Sequence, residues 1–272
     1  ICRRKGAWHL MEIRDPVHGT IDFNPKEVAV LDSAVFQRLR SIKQLGFGEF
    51  SFPGGVHNRY IHSIGATHLA GKAFDIIFHG YPFKNMNDKA RLWQAVRLAS
   101  MLHDCGHGPL SHSTEEVMPQ LKELHVPIYE RQGVNTNRQA NHEDYTIKFI
   151  TDSPLALIIK EQFPDMSPDH VACLIDTSLK CPDDFFEIDG VNFRTILSQI
   201  ISSELDCDRM DYLIRDSYFC GTDYGKIELI WLLQNLTHHR VENNLHLAIN
   251  RRALYTFDDF LISRHHMYLM VY

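Results

Sequence analysis

Between Asp88 and Leu102 the apolar residues Ala90, Trp93, Val96, Ala99 and Leu102 recur at the interval of a helix face. The run ends directly on His103-Asp104-Cys105-Gly106-His107-Gly108-Pro109. A segment patterned this way must bury one side, with Asp88 expected to cap its start and Gly106 to stop it. His103 and Asp104 then fall in the last turn, where the chain starts to unwind and two adjacent side chains can converge on one ion. Imidazole nitrogen with carboxylate oxygen suits Zn, Fe, Mn or a similar divalent metal, but two ligands do not make a site. The others must come from elsewhere in the chain.

The same periodicity fills most of the sequence. Asn24-Pro25 is an N-cap followed by a first-turn proline, and apolar residues continue at helical spacing to Gly46, as one helix or as two broken at Asp32-Ser33. Helices are expected over 60–78, with His62 near the start, over 142–150 behind Asn141, from Ser167-Pro168 to Ile175, over 193–201, over 204–218, over 227–236, and from Leu254 to the end. Residues 49–52 read as a short strand or irregular loop, and 108–141 as a short helix plus loop. Val241-Glu242-Asn243-Asn244-Leu245 predicts a hairpin around Asn-Asn. The expected fold is mostly α with a small β-hairpin. Residues 1–10 read as a leader ahead of Met11, and the last segment is still apolar and helical at Tyr272, so the native chain is expected to continue.

Composition narrows the function classes. The 272 residues carry a net charge of −6, which argues against a nucleic-acid scaffold or a polybasic membrane binder, so any anion must be held locally. Six cysteines form no CxxC pair, which predicts reduced thiols and a cytoplasmic setting. Cys105 and Cys207 each adjoin a candidate ligand, although a buried thiol more often serves as a small hydrophobe. No apolar run approaches the roughly 18 residues of a membrane span. Seventeen histidines stand out, because imidazole is both the commonest metal ligand and a proton carrier near neutral pH.

His62, His103, Asp104 and Asp208 supply two imidazoles and two carboxylates, enough for one divalent ion with positions left for water and substrate. On spacing alone, scattered histidines and aspartates are more often surface groups or satisfied buried ones.

Their order, H…HD…D, resembles that of the HD-domain metal-dependent phosphohydrolases. The flanking text narrows the likeness: Asp15-Pro16-Val17-His18-Gly19, Phe36-Gln37-Arg38-Leu39-Arg40, His57-Asn58-Arg59, His62-Ser63-Ile64-Gly65, Ser111-His112 and Asp208-Arg209-Met210-Asp211-Tyr212 look like the deoxynucleoside triphosphate triphosphohydrolase branch. The resemblance runs from Met11 to the C-terminus and implies an HD-domain helical fold over 11–272.

The resemblance also implies roles. His62, His103, Asp104 and Asp208 would hold one divalent transition metal. Arg59 would face a phosphate, and Arg209 stands where relatives carry a lysine for the triphosphate, which a Mg²⁺ ion would accompany. His107 would sit beside the metal and the α-phosphate. His112 and His142 match the family's catalytic histidines, with Glu115 where an aspartate usually supports the first of them. Tyr212 would lie against the sugar, and Asp216 and Gln44 would bond the 3′-hydroxyl. Asp32, Gln37 and Arg40 match contacts to an activating GTP or dNTP, while Met11 and Glu12 replace the lysine and small apolar residue of that pocket. A homo-oligomer is expected, as in relatives. Two other functions share this core: an HD-domain phosphatase or phosphodiesterase acting on another ester, and a catalytically weak nucleotide sensor.

Overall fold

The computed structural model describes residues 10–272, so the expected leader lies outside the described residues except for Leu10. The chain enters through an antiparallel hairpin, β1 (Met11–Asp15) and β2 (Gly19–Phe23), with Ile13 opposite Ile21 and Asp15 opposite Gly19. This hairpin is additional to the expected one. Its alternation lasts only five residues per strand and is interrupted by the turn.

Helices dominate the rest: α1 (Pro25–Leu31), α2 (Ala34–Gln37), α3 (Arg59–Ile77), α4 (Met86–Leu102), α5 (Leu121–Leu124), α6 (Pro127–Gln132), α7 (His142–Thr151), α8 (Pro154–Gln162) and α9 (Pro168–Ile175). After the short strands β3 (Glu187–Ile188) and β4 (Val191–Asn192) come α10 (Arg194–Ile201), α11 (Cys207–Cys220), α12 (Leu229–Gln234), the hairpin β5 (Leu236–Val241) and β6 (Asn244–Ile249), and α13 (Leu254–Met270). The four later strands form one sheet in the order β3-β4-β6-β5. The fold is mostly α, as the periodicity implies.

Local chemistry explains most boundaries. Asn24 and Glu27 form a capping box at α1, and Ser33 caps α2, which makes the break at Asp32-Ser33. Asn141 with Asp144, and Ser167 with His170, close α7 and α9 in the same way. Some boundaries differ from expectation. The cap of α4 is Asn85, and Asp88 instead sits in the first turn, where a carboxylate favours the helix dipole. α11 starts at Cys207 because Asp206 accepts the Arg209 amide at 2.7 Å. Residues 48–50 form a 3-10 turn rather than a strand. The late hairpin turns through Glu242-Asn243, with Glu242 at φ 54°, one residue earlier than expected.

α3 organises the core. It packs against α4, α11 and β5, and its buried residues include Ile64, Leu69, Ala70, Ala73, Phe74 and Ile77 on several sides. A helix enclosed this way has nowhere to put a charge unless that charge is paired. His62, on its first turn, is therefore a placed group.

Candidate functional site

Three elements meet at the motif that ends α4. His62 comes from the first turn of α3, His103 and Asp104 from the turn after α4, and Asp208 from the first turn of α11. His62 Nε2 lies 2.9 Å from Asp208 Oδ1 and 3.6 Å from Asp104 Oδ2. His103 Nε2 lies 3.5 Å from Asp104 Oδ1 and 3.5 Å from Asp208 Oδ1. Residues separated by more than a hundred positions thus face one point.

The remaining ring nitrogens decide what the site can hold. His62 Nδ1 meets Asp211 Oδ2 at 2.7 Å, and His103 Nδ1 donates to the Ser100 carbonyl at 2.7 Å. Both Nε2 atoms are buried and make no well-aligned hydrogen bond, although His62 Nε2 faces Asp208 Oδ1 at 2.9 Å. A histidine that donates from Nδ1 presents its Nε2 lone pair, the arrangement of a metal ligand with its outer support. The two nitrogens and Asp208 lie within 4.8 Å of one another and, with Asp104 3.5–3.6 Å from the rings, fit a divalent metal ion.

The carboxylates that would balance an ion also draw protons onto these rings, which an ion would have to displace. Burial works against protonation of His62, but Asp208 and Asp211 outweigh it and hold the ring up at about 10. His103 is likewise held up at about 9 by Asp104 and Asp208 against burial. Asp104 is buried too, yet Arg59 and His103 keep its carboxyl well below the usual range. Cationic charge is thus favoured here, and a divalent ion would satisfy the same carboxylates. Neither neighbouring cysteine is among the groups that converge with the two histidines, and burial pushes Cys105 up to about 12 and Cys207 well above the ordinary thiol value.

A second cluster stands beside the first. His107 Nε2 is 3.4 Å from Asp104 Oδ1, and the His107 ring stacks on His142. Glu115 Oε1 accepts from His112 Nδ1 at 3.0 Å and also from His142 Nδ1. The longer glutamate therefore reaches both histidines. These four groups come from the α4 exit, the turn at 111–117 and α7. Gly106 permits the approach, since a Cβ there would meet the His142 carbonyl oxygen at 1.9 Å.

Both clusters border a cavity of about 560 Å³. Arg59, Asp208, Arg209 and His112 line it, as do Gln44, Tyr212 and Asp216. Arg59 is buried and bonds Asp104 and Ser111 through its two terminal nitrogens. Gln44 Oε1 is buried without a partner. Arg209 bonds the Ser203 carbonyl and lies 3.4 Å from Glu204 Oε2, so a phosphate would have to compete for it. Asp216 accepts from Tyr272 OH at 2.7 Å and meets His57 Nε2 at 2.6 Å, which engages both of its oxygens. Asp32, Gln37 and Arg40 do not line this cavity. Gln37 bonds the Leu31 carbonyl and Arg40, and Arg40 stacks over Tyr60 at 3.6 Å.

The cavity also contains residues that periodicity did not single out. Arg264, Tyr268 and Tyr272 reach it from α13 and the residues after it. Their only signal in the sequence is a basic and aromatic cluster on one late helix. Nothing local says that this helix packs on α11.

No family model matches the chain. It is 33% identical over 263 residues to an uncharacterized protein of Mycoplasma pneumoniae, covering 95% of this chain and 55% of that one. It is 31% identical over 219 residues to the deoxynucleoside triphosphate triphosphohydrolase SAMHD1 of Homo sapiens, covering 77% of this chain and 33% of that enzyme. The chain is a homologue of SAMHD1 and of uncharacterized bacterial proteins. A solved structure of a hypothetical protein from Aquifex aeolicus matches with a TM-score of 0.72 at 29% identity, over 97% of this chain and 60% of that one. The chain spans about half the length of the first curated relatives it matches.

Proposed function

We propose that the chain is an HD-domain metal-dependent phosphohydrolase that cleaves deoxynucleoside triphosphates to deoxynucleoside and intact triphosphate. The observation that carries this reading is the convergence of His62, His103, Asp104 and Asp208, with both Nε2 atoms turned toward the carboxylates, beside a cavity of about 560 Å³. That volume is within the range of small-molecule sites. The likeness to SAMHD1 supplies the substrate class.

A bound Fe, Zn, Mn or similar ion would supply Lewis acidity and a water made acidic enough to attack. The chain's own residues do the rest. Arg59, Arg209 and Arg264, which all line the cavity, offset phosphate charge. Water adds to the α-phosphorus, the bond from phosphorus to the sugar 5′-oxygen breaks, and that oxygen takes a proton. His112 is the proton donor: its side chain is 67% exposed at the cavity, and its Nδ1 is held by Glu115, which leaves Nε2 for the leaving group. Tyr212 forms the wall against the sugar, and Gln44 Oε1 accepts from the 3′-hydroxyl. Asp216 orients Tyr272 and His57 around the same sugar position. Asp32, Gln37 and Arg40, gathered around Tyr60, are the contacts for an activating nucleotide, and a homo-oligomer is the working assembly.

The test is to incubate metal-replete protein with each dNTP, with and without GTP, and identify the phosphate product. Triphosphate together with deoxynucleoside supports the proposal. Orthophosphate released from a monophosphate supports a phosphatase instead, and tight nucleotide binding without product supports a sensor.

A further inference from the structure

The turn between β1 and β2 is tied to His62 through two buried carboxylates. Asp211 lies on α11 three residues after Asp208 and is wholly buried. Its Oδ1 meets His18 Nε2 at 2.6 Å and accepts from Arg215 Nη2 at 2.8 Å, while its Oδ2 meets His62 Nδ1 at 2.7 Å and accepts from Arg215 Nε at 2.8 Å. Four donors saturate a carboxylate and leave it no freedom to turn.

Arg215, also wholly buried, is clasped on its far edge by Asp15, with Nη1 to Oδ2 at 2.8 Å and Nη2 to Oδ1 at 3.4 Å. Asp15 Oδ1 accepts the amides of Val17 at 2.9 Å and His18 at 2.7 Å as well. The carboxylate that holds Arg215 therefore also shapes the turn that presents His18. Gly65, one turn along α3 from His62, gives the group its space: a Cβ there would meet Asp211 Oδ1 at 2.0 Å and Arg215 Nη2 at 2.3 Å. Buried ion pairs are poor sources of stability compared with apolar packing, so a network this costly calls for a role beyond stability.

We propose that Asp15 and His18 of the hairpin are positioning residues for His62, acting through Asp211 to fix Nδ1 as a donor and so aim Nε2 at the metal centre. The inference rests on the reading of His62 as a metal ligand. It assigns to the Asp15-Pro16-Val17-His18-Gly19 segment a task that its distance in sequence from the centre hides.

The test uses the full chain with His18→Ala, His18→Gln and Asp15→Asn. Two quantities are read: the Kd for Mn²⁺, and the downfield proton resonance of His62 Nδ1–H in protein without added metal. His18→Ala is expected to weaken Mn²⁺ binding about tenfold and to broaden the resonance by faster exchange. His18→Gln, whose side-chain amide can still donate to Asp211, should restore most of both. Asp15→Asn keeps an oxygen for the turn amides but removes the charge facing Arg215, and should also broaden the resonance. It serves as the second variant if His18→Ala does not fold. A sharp, wild-type resonance in the folded variants overturns the proposal, as does a wild-type Kd in His18→Ala. Asp208→Ala separates the two levels: if it binds Mn²⁺ as wild type does, the metal reading fails, while the His62 resonance still decides the positioning role.

Discussion

His107 lies face to face with His142, ring centroids 3.8 Å apart and planes inclined by 15°. Burial drives the His107 ring down to about 3, despite the nearby Asp104 carboxylate, so it stays neutral where an enzyme would work. A ring held neutral is a poor proton donor. In the proposed reaction that task is assigned to His112, which is exposed to the cavity and held by Glu115.

Replacing His112 with alanine should lower kcat by about a hundredfold to ten-thousandfold, the usual worth of a positioned acid. Metal content should remain that of the wild type, because His112 does not touch the His62 cluster. Steady-state kinetics with metal analysis checks this. A variant that keeps its kcat would remove His112 from the chemistry.

Gly106→Ala should disrupt the same cluster from below. Its Cβ would meet the His142 carbonyl oxygen at 1.9 Å and the Thr146 amide nitrogen at 2.3 Å, and both are backbone atoms of α7 that cannot step aside. The expected loss is about 1–3 kcal/mol, as for other overpacked cores, with α7 and His142 displaced. Urea unfolding measures the first and a crystal structure the second.

Acid should act on the fold through two neutral histidines, half-buried His68 and buried His107. Burial, with Lys72 and His18 nearby, lowers His68 to about 4, and burial lowers His107 to about 3. An unfolded chain binds protons at these positions from about pH 6.5 downward, whereas the folded chain does so only near 3–4. These two rings therefore pull stability down as pH drops through that window, against the opposite pull of Asp206, whose carboxyl is raised to about 7 by burial. Thermal melts between pH 7 and 4 should show a falling Tm, and His68→Gln should flatten the slope. An unchanged slope would contradict the shift assigned to His68.

Arg264→Ala should raise KM for a triphosphate substrate severalfold with a smaller effect on kcat. Its guanidinium lines the cavity but touches none of the groups around Asp104, and it bonds Glu204 at 3.1 Å. Initial rates over a range of substrate concentration separate the two effects.

These residues also mark how far the sequence could be read. Asn24, Ser33, Asn141 and Ser167 announce their helices because a cap is local chemistry, and the run into His103-Asp104 shows where α4 must end. α8 lies in a stretch without an assigned element, although Ser153 and Pro154 give it a cap and a first-turn proline. Asp88 misled because a first-turn carboxylate and a capping one look alike without coordinates. The β1–β2 hairpin alternates too briefly to compete with the helical pattern. Arg264 and Tyr272 enter the cavity through the packing of α13 on α11, and Asp211 meets His18 across 193 positions. Contacts of that range leave no trace in periodicity.

The proposed activity depends on the metal centre. The most direct measurement is the metal content of purified protein by mass spectrometry, wild type against Asp208→Ala, with dNTP turnover on the same samples. One divalent transition metal per chain in the wild type, and neither metal nor turnover in the variant, is the predicted result. An Asp208→Ala protein that keeps its metal and its turnover would contradict it.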